Sequence, residues 1–129
     1  SVIAHEIDST PFCLHGKIVQ PIHVMHGNLP IVGYRIEDLG YITDAKYIAE
    51  AELSKLHKVD TLVLNALRKA PHPTHLNIEE ALAIVREVHP RQTFFTHMSQ
   101  TMGFHAKVQK ELPAHVFLAY DNLTIMIND

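Results

Sequence analysis

The chain has 129 residues, of which 47% are hydrophobic and 19% are charged, a composition that fits an ordinary globular domain and argues against intrinsic disorder. Its formal net charge of −3 gives no general attraction to nucleic acid, and no apolar run approaches the roughly 20 residues that cross a bilayer. We therefore expect a single domain, residues 1–129, with neither nucleic acid nor a membrane as partner.

Cysteine content and the start of the chain bear on its compartment. Cys13 is the only cysteine, which excludes an internal disulfide and a cysteine zinc cluster, so a reducing cytoplasm is expected. The first residues lack the charged-then-apolar pattern of a signal peptide. They also lack an initiator Met, which suggests part of a longer protein.

The first 44 residues have the pattern of antiparallel β-structure. Residues 2–7 read as a strand, 12–16 and 17–26 as one further extended region, and 31–36 with 39–43 as a hairpin that turns at Glu37 and Asp38. Within the extended region Pro21 indicates an edge position or an irregularity, because proline cannot donate to a ladder. Residues 27–30 are expected to break the strand.

After Asp44 helices alternate with strands. Helical spacing predicts a helix over 49–57, and a nearly all-apolar run predicts a strand over 59–67 that is covered on both faces. Asn77 can cap a helix, with Glu80 as its capping-box partner and Pro90 as the stop. The remaining predicted elements are a strand 92–96, a helix 104–112 and strands 116–120 and 123–127. The order predicts an α/β (α+β) sheet with helices stacked against it.

Polar residues follow the apolar runs at their carboxyl ends, where open α/β sheets bind ligands. They are His26, Asp44, Asn65 with Arg68, His97 and Asp121. Two imidazoles and a carboxylate on separate strands suit zinc, manganese or iron. Histidines at strand ends also serve as hydrogen-bonded turn residues, so these residues alone leave both interpretations open.

Longer motifs resemble the metallo-β-lactamase-fold hydrolases. The segment that contains His26 is similar to their third metal-binding motif, the segment around Asp44 to the fourth, and Thr-His-Met-Ser at His97 to the fifth. The loop 71–75 and residues 119–122 fit the branch related to the phosphoribosyl cyclic phosphate phosphodiesterase. The similarity extends over essentially the whole chain.

The resemblance implies a fold and a metal site. The fold is half of an αββα metallo-β-lactamase sandwich, a mixed β-sheet with about three helices on one face. Two divalent metal ions, Zn or Mn, are expected in the intact protein, with His26 on the first, His97 on the second and Asp44 on both. A water activated by both metals then attacks phosphorus.

The resemblance also implies roles around the substrate. His75 is expected to bind phosphate or to protonate the leaving oxygen, which makes His75 and Asp44 the catalytic pair. His72 and Arg68 are further candidates for phosphate contact, for which an ordinary surface role competes.

Two departures from the family pattern limit what this chain does alone. The signature H-x-H-x-D-H is absent, so the chain corresponds to the C-terminal half of the fold. Gln100 stands where this branch often has histidine, and Asn122 where glycine is common. We expect the isolated chain to bind at most one metal, weakly, to be inactive, and to self-associate through an exposed sheet face.

Three functional hypotheses follow. The first is that the intact protein is a metal-dependent phosphodiesterase that acts on a small, cyclic phosphodiester. The alternative is a non-catalytic binding module that retains the fold without a complete metal site, as the missing signature suggests. An RNA-processing relative is disfavoured by the negative charge and the lack of a basic stripe.

Overall fold

The computed structural model describes residues 8–66, 71–96 and 104–119 of the chain. Within them lie seven strands, three α-helices and one 3₁₀ turn. The strands are β1 Phe12–Leu14, β2 Lys17–His26, β3 Leu29–Ile36, β4 Leu39–Ile42, β5 Thr61–Asn65, β6 Gln92–Thr96 and β7 Val116–Leu118. The helices are α1 Glu50–Leu53, α2 Ile78–Val88 and α3 Phe104–Glu111, and the 3₁₀ turn is Ser54–Leu56.

All seven strands form one mixed sheet in which spatial order equals chain order. Strands β1 to β4 pair antiparallel, whereas β4, β5, β6 and β7 pair parallel. This is the mixed sheet that the sequence predicts. The predicted strands 2–7 and 123–127 lie outside the described residues.

The antiparallel half differs from prediction at two turns. Residues 12–16 and 17–26 form a hairpin rather than one extended region, because His15 (φ 49°) and Gly16 (φ 77°) take the left-handed conformation and reverse the chain. The strand does break after His26 as predicted, with Gly27 (φ 61°) and Asn28 in the turn, but β3 already begins at Leu29, two residues earlier than predicted. The hairpin predicted to turn at residues 37 and 38 is confirmed.

Pro21 occupies the edge position that the sequence predicts. Pro21 is paired with Tyr34 of β3, but the pairing between β2 and β1 ends at Val19 and Phe12. Among the described residues the strand therefore has one neighbour at Pro21, and within that part of the chain the missing amide proton costs no ladder hydrogen bond.

Several of the elements after Asp44 are shorter than predicted, whereas β6 has the predicted bounds. The helix predicted over 49–57 is regular only in α1 and tightens into the 3₁₀ turn. The strand predicted over 59–67 is β5 alone, since the amide of Val59 bonds the carbonyl of Leu56 at 3.1 Å and is held in a turn. Helix α2 confirms its predicted start, because Asn77 and Glu80 form a complete capping box.

The hydrophobic core lies between the sheet and all three helices. Leu62 and Leu64 of β5 belong to the same buried cluster as Leu56 of the 3₁₀ turn, Val85 of α2 and Val108 of α3. The helices therefore cover one face of the sheet, as predicted. No helix in the described ranges is long and apolar enough to cross a bilayer.

The opposite face carries a line of apolar side chains that we call the apolar row. Val63 lies between Leu62 and Leu64 and so points away from the helices. Register places five residues side by side on this face of neighbouring strands: Tyr34, Tyr41, Val63, Phe94 and Phe117. Phe94 and Phe117 stack with ring centroids 5.4 Å apart.

Candidate metal centre

Three predicted site residues from separate parts of the chain meet at one edge of the sheet. His26 is the last residue of β2, Asp44 follows β4, and His75 lies in the loop before α2. One ligand atom from each lies within 4.8 Å of the other two. All three side chains are partly buried.

The hydrogen bond of His26 identifies its ligand atom. Its Nδ1 lies 2.9 Å from the backbone carbonyl oxygen of Asp44. A carbonyl only accepts, so Nδ1 carries the proton and donates it, which leaves the lone pair on Nε2. Metal-binding histidines are commonly oriented by such a bond from the other ring nitrogen.

The carboxylate of Asp44 lies between Thr43 and His75. The hydroxyl of Thr43 donates to Oδ2 at 3.3 Å, while Oδ1 lies 3.7 Å from Nε2 of His75. The latter separation is too long for a hydrogen bond. The two atoms are nevertheless close enough together to ligate the same cation.

The surroundings of His75 favour its neutral form. Burial lowers the pKa of His75 below its usual value, and the neighbouring His26 and His72 lower this pKa further, while Asp44 acts in the opposite direction. The rings of His75 and His26 meet edge to face with centroids 4.6 Å apart, and those of His75 and His72 lie 5.2 Å apart. Neutral imidazole is the form that ligates metals.

A buried amide holds the chain segment that carries Asp44. Asn65 ends β5 and is fully buried. Its Oδ1 accepts the Ala45 N–H at 2.8 Å and its Nδ2 donates to the Ala45 carbonyl at 2.7 Å. The same carbonyl accepts the N–H of Leu76 at 3.0 Å. The residues that follow Asp44 and His75 are thus joined at one point.

Backbone hydrogen bonds also join the end of β2 to this segment. The amide of Met25 donates to the Tyr47 carbonyl at 2.9 Å, and the amide of Lys46 donates to the Met25 carbonyl at 2.7 Å. These bonds keep His26 beside Asp44 without any contribution from their side chains.

The other predicted site residues either lie beside the cluster of His26, Asp44 and His75 or fall outside the described residues. The ring of His72 lies next to that of His75, but His72 is not one of the three clustered residues. His97 and Arg68 lie outside the described residues, as do Gln100 and Asn122. The last residue of β6, Thr96, is in register with Asn65, so the described part of β6 ends at the same sheet edge.

The donor set fits a divalent metal ion. Two imidazoles and one carboxylate are ligands that zinc and manganese accept. The hydrogen bond at Nδ1 of His26 leaves Nε2 as its ligand atom, and the environment of His75 favours the neutral form of that ring. Sequence reasoning named all three residues, but it gave His75 a role at the phosphate rather than as a metal ligand. It did not identify Asn65 as a support, although a polar residue at the end of an apolar strand was a signal for it.

Comparison with known proteins defines the class. Residues 1–98 match the model of the β-lactamase superfamily domain, and the chain belongs to that family. A diphosphatase of the PhnP family has the same fold, with a TM-score of 0.89, 34% identity, and coverage of 96% of this chain and 49% of its own. The predicted resemblance to metallo-β-lactamase-fold hydrolases is thereby confirmed.

Two further relatives differ in what they show. The short form of human tRNase Z shares the fold, with a TM-score of 0.70, 18% identity, and coverage of 92% of this chain and 46% of its own. An octanoyltransferase of Porphyromonas gingivalis is 33% identical over 120 residues, which cover 92% of this chain and 24% of that protein.

These coverages identify the chain as half of a superfamily hydrolase fold. It spans about half the length of the solved structures and about a quarter of the octanoyltransferase. Proteins with this fold generally bind divalent metals, and the cluster of His26, Asp44 and His75 is a candidate place for one.

Proposed function

We propose that the protein containing this chain is a metal-dependent phosphodiesterase that acts on a small, cyclic phosphodiester. The observation that carries the proposal is the convergence of His26, Asp44 and His75, whose ligand atoms lie within 4.8 Å of one another, in a superfamily of metal-dependent hydrolases. The likeness to a diphosphatase supports chemistry at phosphorus.

His26 and Asp44 are the metal ligands that this chain contributes, and His97 is a third that the sequence predicts. When bound, a divalent metal ion supplies Lewis acidity that polarises a phosphoryl oxygen and makes water easier to ionise near neutral pH. The protein supplies orientation: the bond from His26 Nδ1 to the Asp44 carbonyl keeps Nε2 of His26 directed to the site.

His75 is the residue that we assign to the phosphate. Its Nε2 binds a phosphoryl oxygen or passes a proton to the leaving oxygen. Although burial and neighbouring histidines lower the pKa of His75, a bound phosphodiester anion adds negative charge that favours the imidazolium. His72 and Arg68 are proposed as further phosphate contacts.

Acyl transfer has weaker support than phosphodiester hydrolysis. The octanoyltransferase is aligned with this chain over only 24% of its length, so its name describes a much larger protein. The described residues that meet at the site are imidazoles and a carboxylate, which suit metal-assisted hydrolysis.

The test uses the full-length product of the gene that encodes this chain. Turnover of a cyclic phosphodiester and of bis(p-nitrophenyl) phosphate is measured with zinc or manganese and after chelation. We expect His26→Ala, Asp44→Asn and His97→Ala each to lower kcat/KM by more than about 100-fold. Loss of a group that only hydrogen-bonds a metal ligand costs about 10–100-fold, and loss of the ligand itself should cost more.

His57→Ala is the matched control, because His57 is exposed beyond the 3₁₀ turn and should leave turnover unchanged. A protein that binds metal but hydrolyses neither phosphodiester would contradict the proposal and favour the non-catalytic binding module. Unchanged turnover in His26→Ala would contradict the ligand assignment.

A further inference from the structure

An exposed leucine lies beside the candidate metal centre. Leu29 is the first residue of β3 and pairs directly with His26 across the two-residue turn. Its side chain is 59% exposed. Among the described residues, it is the one exposed large hydrophobic residue that pairs with a member of the cluster. Leu29 therefore supplies apolar surface next to a cluster of two imidazoles and a carboxylate.

Strand alternation places Leu29 and His26 on the same face of the sheet. Val24, two residues before His26, belongs to the buried cluster under the helices, and Ile31, two residues after Leu29, packs against that cluster. Side chains of directly paired residues have Cβ atoms about 4.5–5.5 Å apart. A group bound at His26 is therefore adjacent to the Leu29 side chain. Because the apolar row lies on the opposite face, Leu29 is not part of it.

The turn that precedes Leu29 packs against the loop that carries His75. Gly27 (φ 61°) takes the left-handed conformation that two-residue hairpin turns commonly use. A Cβ on Gly27 would lie 3.0 Å from Cγ2 of Thr74, so Thr74 packs closely on the turn. Leu29 and His75 are therefore held at fixed places around His26. Such a preformed surface avoids the entropy cost of ordering a loop when a ligand binds.

We propose that Leu29 contacts the organic group of the substrate and selects phosphodiesters in which that group is an apolar aryl group. When such a group covers the exposed leucine, water leaves both surfaces, which is favourable in proportion to the apolar area buried. The cluster itself acts on the phosphoryl group, which all phosphodiesters share, so it does not distinguish one organic group from another. The inference rests on the proposed function, for which it names the favoured class of substrate.

Removal of this contact should raise KM and leave kcat as it is. An apolar contact away from the reacting bonds stabilises bound substrate and transition state alike, and the loss of such uniform binding raises KM alone. In the full-length protein we expect Leu29→Ala to raise KM for bis(p-nitrophenyl) phosphate about 10-fold, the lower end of what one methylene in a hydrophobic pocket contributes. Because Leu29 is exposed, the substitution should leave the fold intact.

Two anions with the same head group test the contact without turnover. Phenylphosphonate and methylphosphonate differ only in the organic group on phosphorus, and calorimetric titration of the full-length protein with zinc present gives the affinity for each. We expect wild type to bind phenylphosphonate at least about 10-fold more tightly, and Leu29→Ala to lose this preference. Leu29→Met has a similar apolar volume and should retain it.

Ile18→Ala is the matched control. Ile18 is 64% exposed and lies on the same face of β2 as His26, but near the start of the strand, about 25 Å away. It should leave KM and the phosphonate preference unchanged. The proposal is overturned if wild type binds both phosphonates equally, or if Leu29→Ala keeps the preference. Equal weakening of both phosphonates in Leu29→Ala would also overturn it, because the substitution would then disturb the turn and not a contact with the organic group.

Turnover measured on the same samples separates this inference from the proposed function. A phenyl preference that depends on Leu29, in a protein that hydrolyses no phosphodiester, supports the apolar contact and overturns the function alone. Hydrolysis of bis(p-nitrophenyl) phosphate, with a phenyl preference that is the same in wild type and Leu29→Ala, supports the function and overturns the role of Leu29 alone.

Discussion

Asn65 shows how a single buried side chain supports the candidate site. Both of its polar atoms bond the backbone of Ala45, and the residue has no exposed surface. Replacement by leucine keeps a similar volume but leaves the Ala45 N–H without this partner. We expect Asn65→Leu to lower the free energy of unfolding by about 1–3 kcal/mol, the cost of an unsatisfied buried polar group, and to weaken zinc binding. Urea denaturation and chelator competition measure the two effects.

Thr93→Val is the matched control for that substitution. Thr93 is also fully buried in the sheet, but its hydroxyl oxygen has no hydrogen-bond partner among the described residues. Removal of an unpaired buried hydroxyl should leave stability equal or higher. If Asn65→Leu is as stable as Thr93→Val, the amide does not hold Ala45 in solution.

The site residues fall into two groups by how far the sequence predicts them. The sequence predicts His26 and Asp44 as site residues for two reasons. Both follow apolar runs that end at a sheet edge, and both lie in motifs that resemble those of the family. Asn65 contacts a group that is brought near only by the tertiary fold, the backbone of Ala45, which is 20 residues away in the chain. No local period or motif encodes such a contact.

At the scale of elements, an ion pair joins the start of α2 to the segment that follows Asp44. Lys46 Nζ lies 2.9 Å from both carboxylate oxygens of Glu80, which also accepts the N–H of Asn77 at 3.0 Å. Burial raises the pKa of Glu80, but the hydrogen bonds from Asn77 and Lys46 outweigh it and the net shift is downward. The folded state therefore favours the charged carboxylate.

Glu80→Gln tests this linkage through pH. Because the folded-state pKa lies below the ordinary 4.5, the stabilisation is complete above 4.5 and is lost as the pH falls through the folded-state pKa. The carboxylate is 39% exposed, so solvent screening limits the loss at neutral pH to about 1 kcal/mol or less. Urea denaturation at neutral pH and in acid should show that the difference from wild type vanishes in acid.

Glu79→Gln provides the comparison, because Glu79 lies exposed in the same first turn without a place in the capping box. It reports the effect of charge near the helix start alone. A Glu80→Gln difference that equals that of Glu79→Gln, or that persists in acid, would show that the Lys46 pair does not stabilise the fold.

Element prediction succeeded where the signal is local. The capping box of α2 and the apolar runs of β5 and β6 can be recognised from neighbouring residues in the sequence. The β1–β2 hairpin was missed because its turn uses His15 in a left-handed conformation, which is uncommon for a residue other than glycine. The helix predicted over 49–57 is regular only in α1 and ends in a 3₁₀ turn whose Leu56 is buried in the core.

At the scale of the whole molecule, the two faces of the sheet are unequal. The helices cover one face, and the apolar row occupies the other. Phe94 is 9% exposed, but Tyr41 is 48% and Phe117 is 38% exposed. Because the chain spans 49% of the related diphosphatase, this face is where the second sheet of an αββα sandwich would pack. The chain alone leaves large aromatic side chains in water.

We therefore expect the isolated chain to self-associate through the apolar row and to be inactive. Light scattering should give a mass above 14.6 kDa that rises with concentration, since exposed apolar patches drive association. Paired substitutions Tyr41→Lys and Phe117→Lys should lower that mass while circular dichroism stays unchanged. Tyr47→Lys is the control, because Tyr47 is 60% exposed but lies outside the row. A monodisperse monomer in the unsubstituted chain would contradict the prediction, and equal effects of Tyr47→Lys and the paired change would place association elsewhere.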